Sequence, residues 1–329
     1  MKFGVGINTC REGYYYPAGF SGPKEMVEVA RLAEKLGFYS VWGDEHVTPT
    51  QAMADRDPQP PNFHELFMSL AFVAGATSKI RVGAGVVCMP WRDPYWVAKQ
   101  ASTLDVASNG RFLMALGLGA SKEELTAINP KGAKFNRGNM LDEGIDVLQL
   151  LFTEKWATYK GEYYQLENVS MYPKPIQKPF PLIISGESEN TMRRIAQLGS
   201  GCFISPSVKA INGRIEALKP LVAEYRRSMD DIEIITLNSV SVARTHDEAV
   251  KRWQSARISE RYKKLTWEQT LEANVIGTPA EMIERIEKLQ KAGLRQFGMQ
   301  RFAARTHAEL MEQVQMVGEE VLPHFKNKK

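Results

Sequence analysis

His46 is the side chain best suited to moving a proton. It follows the apolar run Tyr39-Ser40-Val41-Trp42-Gly43 and the acidic pair Asp44-Glu45. An imidazole exchanges protons near neutral pH, so His46 with Glu45 beside it at a strand end is a candidate acid–base group. A structural histidine gives the same local pattern. A second candidate is the segment Gly186, Glu187, Ser188, Glu189, Asn190 and Thr191, between a strand pattern and a helix pattern. Amides and hydroxyls at a helix N-terminus suit a phosphate, although Ser188 alone would serve as a helix cap. Gly117-Leu118-Gly119 is a third place where backbone can approach a ligand, but Ala120-Ser121-Lys122 follows and the third glycine of a dinucleotide fingerprint is missing. Asn8 and Cys10, at the end of the first strand, are candidates to line a pocket. Asp44, Glu45, His46 and the distant His64 show no metal-ligand spacing, so no metal site is expected. Glu123 and Glu124 read as the solvated first turn of a helix. Cys88 reads as a small buried hydrophobe, and Arg137 has Asp142 or Glu143 as a structural partner.

These groups need elements to position them. Residues 80–87 are apolar at nearly every position, which suits a parallel strand buried on both faces. Asp93-Pro94 opens a helix, Asn109-Gly110 stops it, and residues 112–116 form the next strand, which runs out into the glycine turn. Strands at about 3–8, 39–43, 80–87, 112–117, 181–185, 201–205, 232–242 and 296–300, each followed by a helical pattern, predict an α/β fold: a TIM (β/α)8 barrel forming one domain over residues 1–329. The clearest helices are 24–36, 139–152, 190–198, 210–229 and 279–292, with a last one at 307–321. Insertions are expected after strands 2, 4 and 7. Residues 47–63 read as a proline-rich loop, 156–181 as a hairpin and an extended crossing, and 259–276 as a charged, aromatic segment; the first and third are lid candidates.

Composition agrees with a soluble enzyme: of 329 residues, 43% are hydrophobic and 24% charged. The net charge of +4 comes from 42 basic and 38 acidic residues without a dense basic block, so no nucleic-acid partner is expected. Cys10, Cys88 and Cys202 are odd in number and lack a CxxC pair, which reads as a reduced, cytoplasmic protein. Met1-Lys2 leads straight into a strand and no apolar run reaches membrane-spanning length, so neither export nor a membrane is expected.

The sequence resembles the bacterial-luciferase-like flavin-dependent monooxygenases, a family that also contains oxidoreductases using the deazaflavin F420. The marks are Ala33 to Phe38 leading to Val41-Trp42-Gly43-Asp44-Glu45-His46, Arg81-Val82-Gly83-Ala84-Gly85-Val86, and Leu104-Asp105 with Ser108-Asn109-Gly110-Arg111. Further marks are Arg137 with Asp142-Glu143, Gly161-Glu162-Tyr163-Tyr164, Pro173-Lys174-Pro175 and Ile184 to Ser188. Their order and spacing cover nearly the whole chain. The resemblance implies a flavin-type cofactor at the strand C-terminal ends. Its phosphate would lie on Glu187, Ser188 and Thr191, with Glu187 acting through its amide. Ala84, Gly85 and Val86, near which the family often carries a non-proline cis peptide, would lie under the ring. His46 falls on the family's acidic-residue-plus-histidine position, and a carboxylate at the place of Glu123 or Glu124 acts in some F420 members. Luciferase carries a phosphate-binding arginine near the position of Leu118; this chain does not, so light emission is not expected. The implied function is a monooxygenase taking reduced FMN from a separate flavin reductase and using O2, through a C4a-peroxyflavin, on a small organic substrate. The alternative is F420-dependent hydride transfer. A flavin-binding protein without turnover is a third reading. The resemblance also implies a homodimer.

Overall fold

A strand held between a barrel interior and a shell of helices has no solvent face, so its sequence is apolar throughout. Phe112–Gly117 behaves in this way, with all of its residues buried. The computed structural model describes residues 1–56, 58–130 and 132–326, so Asp57 of the 47–63 loop and residues 327–329 of the expected domain lie outside the described residues. Among the described residues there are eleven strands: β1 (Lys2–Gly6), β2 (Ser40–Gly43), β3 (Arg81–Cys88), β4 (Phe112–Gly117), β5 (Ala157–Lys160), β6 (Gln165–Val169), β7 (Leu182–Ile184), β8 (Gly201–Ile204), β9 (Glu233–Val242), β10 (Val275–Gly277) and β11 (Gln296–Phe302).

Eight of them, in the order β11-β1-β2-β3-β4-β7-β8-β9 with β9 returning to β11, close a parallel barrel. The expected TIM barrel is therefore present, with insertions after its second, fourth and seventh strands. β5 and β6 form the hairpin expected in 156–181. Within 259–276 lies a short helix, Trp267–Ala273, followed by the start of β10. β10 pairs with the end of β9 beyond the point where β8 leaves it. Inside the barrel, Trp42, Leu113, Ala115, Ile183, Phe203, Ile235 and Met299 form a cluster separate from the larger layer between strands and helices.

Local chemistry sets the helix ends. Glu25 reaches back to the Gly22 amide at 2.8 Å, and Gly37 ends the helix Pro23–Leu36 in the left-handed region at φ 80°. Asp93 accepts from the Tyr95 amide at 2.9 Å to open the helix Pro94–Ala107. Two expectations shift. The helix expected over 210–229 runs Val208–Glu224, because Arg226 turns left-handed at φ 54° and Ser228 caps a separate turn, Met229–Asp231. The last helix continues to Lys326 by widening into a π turn, Val317–Val321, just before Pro323, whose ring does not fit a regular ladder. Among the described residues no helix is long and apolar enough to cross a membrane.

Candidate active site

β2 ends at Gly43, and the next three residues each take different partners. His46 is nearly enclosed, its side chain 9% exposed. Its Nδ1 lies 2.8 Å from Glu124 Oε2 and its Nε2 lies 3.1 Å from Arg11 Nη1. An ionised carboxylate only accepts and a guanidinium only donates. The proton therefore sits on Nδ1, and Nε2 offers its lone pair to Arg11. Tyr14 stacks on the ring at 4.8 Å, and Phe63 and Trp91 lie 5.9 and 6.2 Å away.

Glu124 is not the solvated residue expected from the sequence. Ser121 caps the helix Lys122–Ile128, accepting from the Glu124 amide at 3.0 Å, and the Glu124 side chain is turned inward and buried; Glu123 stays exposed. Its Oε1 accepts from the amides of Val47 and Thr48. Burial opposes its ionisation, but His46 and these amides outweigh that and hold the carboxyl below its ordinary value.

Asp44 sits between two cations, with Arg11 Nη2 and Arg301 Nη2 each 2.5 Å from Oδ1. Burial pushes the Asp44 carboxyl up, yet the two guanidiniums hold it far below the usual carboxylate range. Thr9 Oγ1 bonds both the amide and the carbonyl of Asp44, at 2.9 and 2.7 Å, which fixes the end of β2 against the loop after β1. Both oxygens of Glu45 are engaged: Arg92 Nε donates to one at 2.5 Å and the Cys88 amide to the other at 2.6 Å. Burial raises the Glu45 carboxyl, and Arg92 offsets this only in part. That arrangement ties the end of β2 to the end of β3.

The phosphate candidate is built differently. Ser188 caps the helix Glu189–Leu198, its Oγ accepting from the Thr191 amide at 3.2 Å and lying 2.9 Å from Thr191 Oγ1. Gly186 has φ 137°, and a Cβ there would lie 2.8 Å from Thr191 Oγ1. Glycine thus keeps open a notch facing the Thr191 hydroxyl. Glu187 to Asn190 are exposed, and the amides of Glu189 and Asn190 have no intrahelical acceptor. The cap and the open donors coexist, so the two sequence readings of Ser188 do not exclude each other.

At the end of β3 the Gly85–Val86 peptide is cis. Ala84 faces the outer layer, while half-buried Val86 edges the interior cluster, where a Cβ on Gly117 would lie 2.8 Å from Val86 Cγ2. Gly119, at φ 74°, lets the Trp91 indole approach to where a Cβ would be 2.6 Å away. Asn8 is committed to its own loop, donating to Ser21 Oγ at 3.0 Å and accepting from the Arg11 amide at 2.9 Å. Cys10 is fully buried, which pushes its thiol up to about 12. Arg137 takes neither expected carboxylate; it donates to the Gly119 carbonyl at 2.7 Å, while Asp142 pairs with Arg194 and Glu143 accepts the amides of Glu162, Tyr163 and Tyr164. Cys88 is buried as expected. Among the described residues no group of three or more His, Cys, Asp and Glu suits a metal.

Arg11, Arg301, Tyr14 and Tyr15 at this face were not among the sequence candidates. An arginine within the otherwise buried strand QFGMQRF was the available signal for Arg301. The two lid candidates meet here: Arg56 pairs with Glu260 at 3.3 Å and also donates to the Gly13 carbonyl.

The parallel barrel thus carries, at its C-terminal face, a histidine held by a buried carboxylate and a helix start with open amides; the comparisons define the class, an oxidoreductase family whose members use a flavin or a deazaflavin. The sequence model of the luciferase-like monooxygenases matches residues 1–296, and the chain belongs to this family. It is similar to an F420-dependent glucose-6-phosphate dehydrogenase of Amycolatopsis mediterranei, 27% identical over 76% of this chain and 76% of that one. It is also similar to the oxygenase component of a flavin-dependent trigonelline monooxygenase of Acinetobacter baylyi, 25% identical over 68% of this chain and 61% of that one. Among solved structures, the F420-dependent tetrahydromethanopterin reductase of Methanopyrus kandleri shares the fold with a TM-score of 0.78, at 18% identity over 98% of this chain and 99% of that one.

Proposed function

We propose that the chain is a monooxygenase that receives reduced FMN from a separate flavin reductase and uses O2 to oxidise a small organic substrate. The observation that carries this reading is the notch at Gly186, where the Thr191 and Ser188 hydroxyls and the open amides of Glu189 and Asn190 provide donors for a terminal phosphate. Ala84, Gly85, Val86, Gly117 and Gly119 would then border the ring. Bound reduced FMN supplies the electrons, one oxygen atom entering the substrate and the other leaving as water. His46 holds a proton at Nδ1, Glu124 fixes that tautomer, Arg11 engages Nε2, and Glu45 positions the strand end. The lids exclude water from the mouth.

A second reading, F420-dependent hydride transfer, is favoured by the Glu124–His46 pair, since a carboxylate-held imidazole suits removal of a proton from an alcohol. Titration with FMN, reduced FMN and F420 separates the two, followed by a substrate panel under 18O2. Preferred binding of reduced FMN with label in the product supports the first reading. Tight F420 binding with no label overturns it. The homodimer is supported by Met68, Phe72 and Trp96, 70%, 57% and 63% exposed, on the adjacent helices Leu66–Gly75 and Pro94–Ala107.

A further inference from the structure

Three guanidiniums converge on one tyrosine at the barrel mouth. Arg11, Arg261 and Arg301 lie 5.1, 5.1 and 5.3 Å from the Tyr15 ring centre. They come from the loop after β1, the third insertion and the end of β11, so the meeting is a product of the fold. One buried carboxylate, Asp44, sits among them and is shared by Arg11 and Arg301. Arg261 has no ion pair among the described residues, and Arg11 Nε is buried without a hydrogen-bond partner. Arg261 is also held in place. The next residue, Tyr262, bonds Ser239 through its hydroxyl at 3.1 Å, and the preceding Glu260 pairs with Arg56.

Arg11 and Arg301 are enclosed and share the single carboxylate of Asp44, while Arg261 reaches in from an exposed position; enclosed cations in excess of their carboxylates are costly unless an anion joins them. The phenol of Tyr15 registers that excess. Burial alone would raise it, yet Arg301, Arg11 and Arg261 draw it below the ordinary tyrosine value, whereas burial raises its neighbour Tyr16.

We infer that Arg11, Arg261 and Arg301 around Tyr15 form an oxyanion subsite that holds a carboxylate or phosphate group of the substrate. The inference rests on the proposed reading in placing substrate at this mouth. Arg11 is the link between recognition and chemistry, because the same guanidinium also touches His46 Nε2. A substrate whose anionic end is fixed there has its reacting end delivered near the imidazole. The anion also completes the charge balance of Arg11 and Arg301, so the subsite prefers anionic substrates to neutral isosteres.

The test follows tyrosinate absorbance during pH titration of the whole protein in rising concentrations of inorganic phosphate or of acetate. An anion seated among the guanidiniums should move the Tyr15 titration upward, and Tyr15→Phe should remove that signal. Arg261→Ala, at an exposed position, should weaken the anion effect about tenfold, as loss of one charge-assisted bond does, and Arg261→Lys should restore part of it. Whichever anion acts at the lower concentration names the source, carboxylate or phosphate. An effect that is absent, unchanged in Arg261→Ala, or lost instead in Ser188→Ala overturns the subsite. If neither FMN nor F420 binds while the Arg261-dependent effect persists, the cofactor reading fails and the subsite stands.

Discussion

The end of β2 and the Gly186 notch are both at the barrel's active face, but they are built on opposite principles. Around His46 every charged neighbour has a protein partner: Glu124 with His46, Asp44 with Arg11 and Arg301, Glu45 with Arg92. At the notch the hydroxyls face each other and the first-turn amides are left without acceptors in the helix. The carboxylates and His46 of the first region are therefore held in place by protein contacts, and only the cations Arg11 and Arg301, sharing one carboxylate, retain unused capacity. The second leaves exposed donors open to solvent or to a ligand. Tight mutual satisfaction marks the region proposed to handle protons, and open donors mark the region proposed to hold the cofactor phosphate.

The comparison predicts where substitutions cost stability and where they cost binding. The largest effect should follow Asp44→Asn, which leaves two buried guanidiniums without their carboxylate; the loss should be about 3–5 kcal/mol in urea unfolding. A loss below about 1 kcal/mol would show that the cations find other partners and that the network is not tightly coupled. Glu124→Gln should cost less, about 1–3 kcal/mol, because an amide keeps the shape but loses the charge. The sign with pH follows from its lowered folded value. The Glu124 contribution is fully present above the ordinary carboxylate range and is lost as pH falls through the depressed folded value. The stability gap between wild type and Glu124→Gln should therefore be flat at neutral pH and close only in acid. If Glu124 positions His46, the substitution should also lower kcat more than it raises KM and displace the pH profile of kcat.

The barrel was legible because burial on both faces writes eight apolar runs into the chain, and because Gly37 and Asn109-Gly110 punctuate the helices. The helix Leu66–Gly75 was harder to read, since LFMSLAFVAG is apolar on nearly every side and has no helical periodicity. His46, the glycines and the Ser188 segment were singled out because they sit at strand ends. Of the charged partners, Glu124 was read as solvated and Arg11 and Arg301 were not read at all. Glu124 is 78 residues from His46 and Arg301 is 257 residues from Asp44, and nothing local marks a charged residue as inward when the groups that bury it come from elsewhere in the chain. The Arg137 expectation failed for a related reason: nearby carboxylates were assumed to be available, but Asp142 and Glu143 serve Arg194 and the hairpin amides.

Ser188→Ala should give the smallest stability effect and the most informative one. Removing a helix cap costs about 1 kcal/mol, because the Thr191 amide loses its acceptor. If Ser188 only caps, that is the whole effect, and the affinity for reduced FMN or F420 is unchanged. If the hydroxyl also holds a phosphate, affinity falls about tenfold on top of the loss in stability, while His46 and Glu124, on other strands, keep their geometry. Isothermal titration alongside urea unfolding reads both quantities from one preparation. Equal affinities for wild type and variant would place the phosphate elsewhere and reduce the notch to an ordinary helix start. A drop in affinity larger than the drop in stability would show that the unpaired donors at this end of the barrel are there for the ligand.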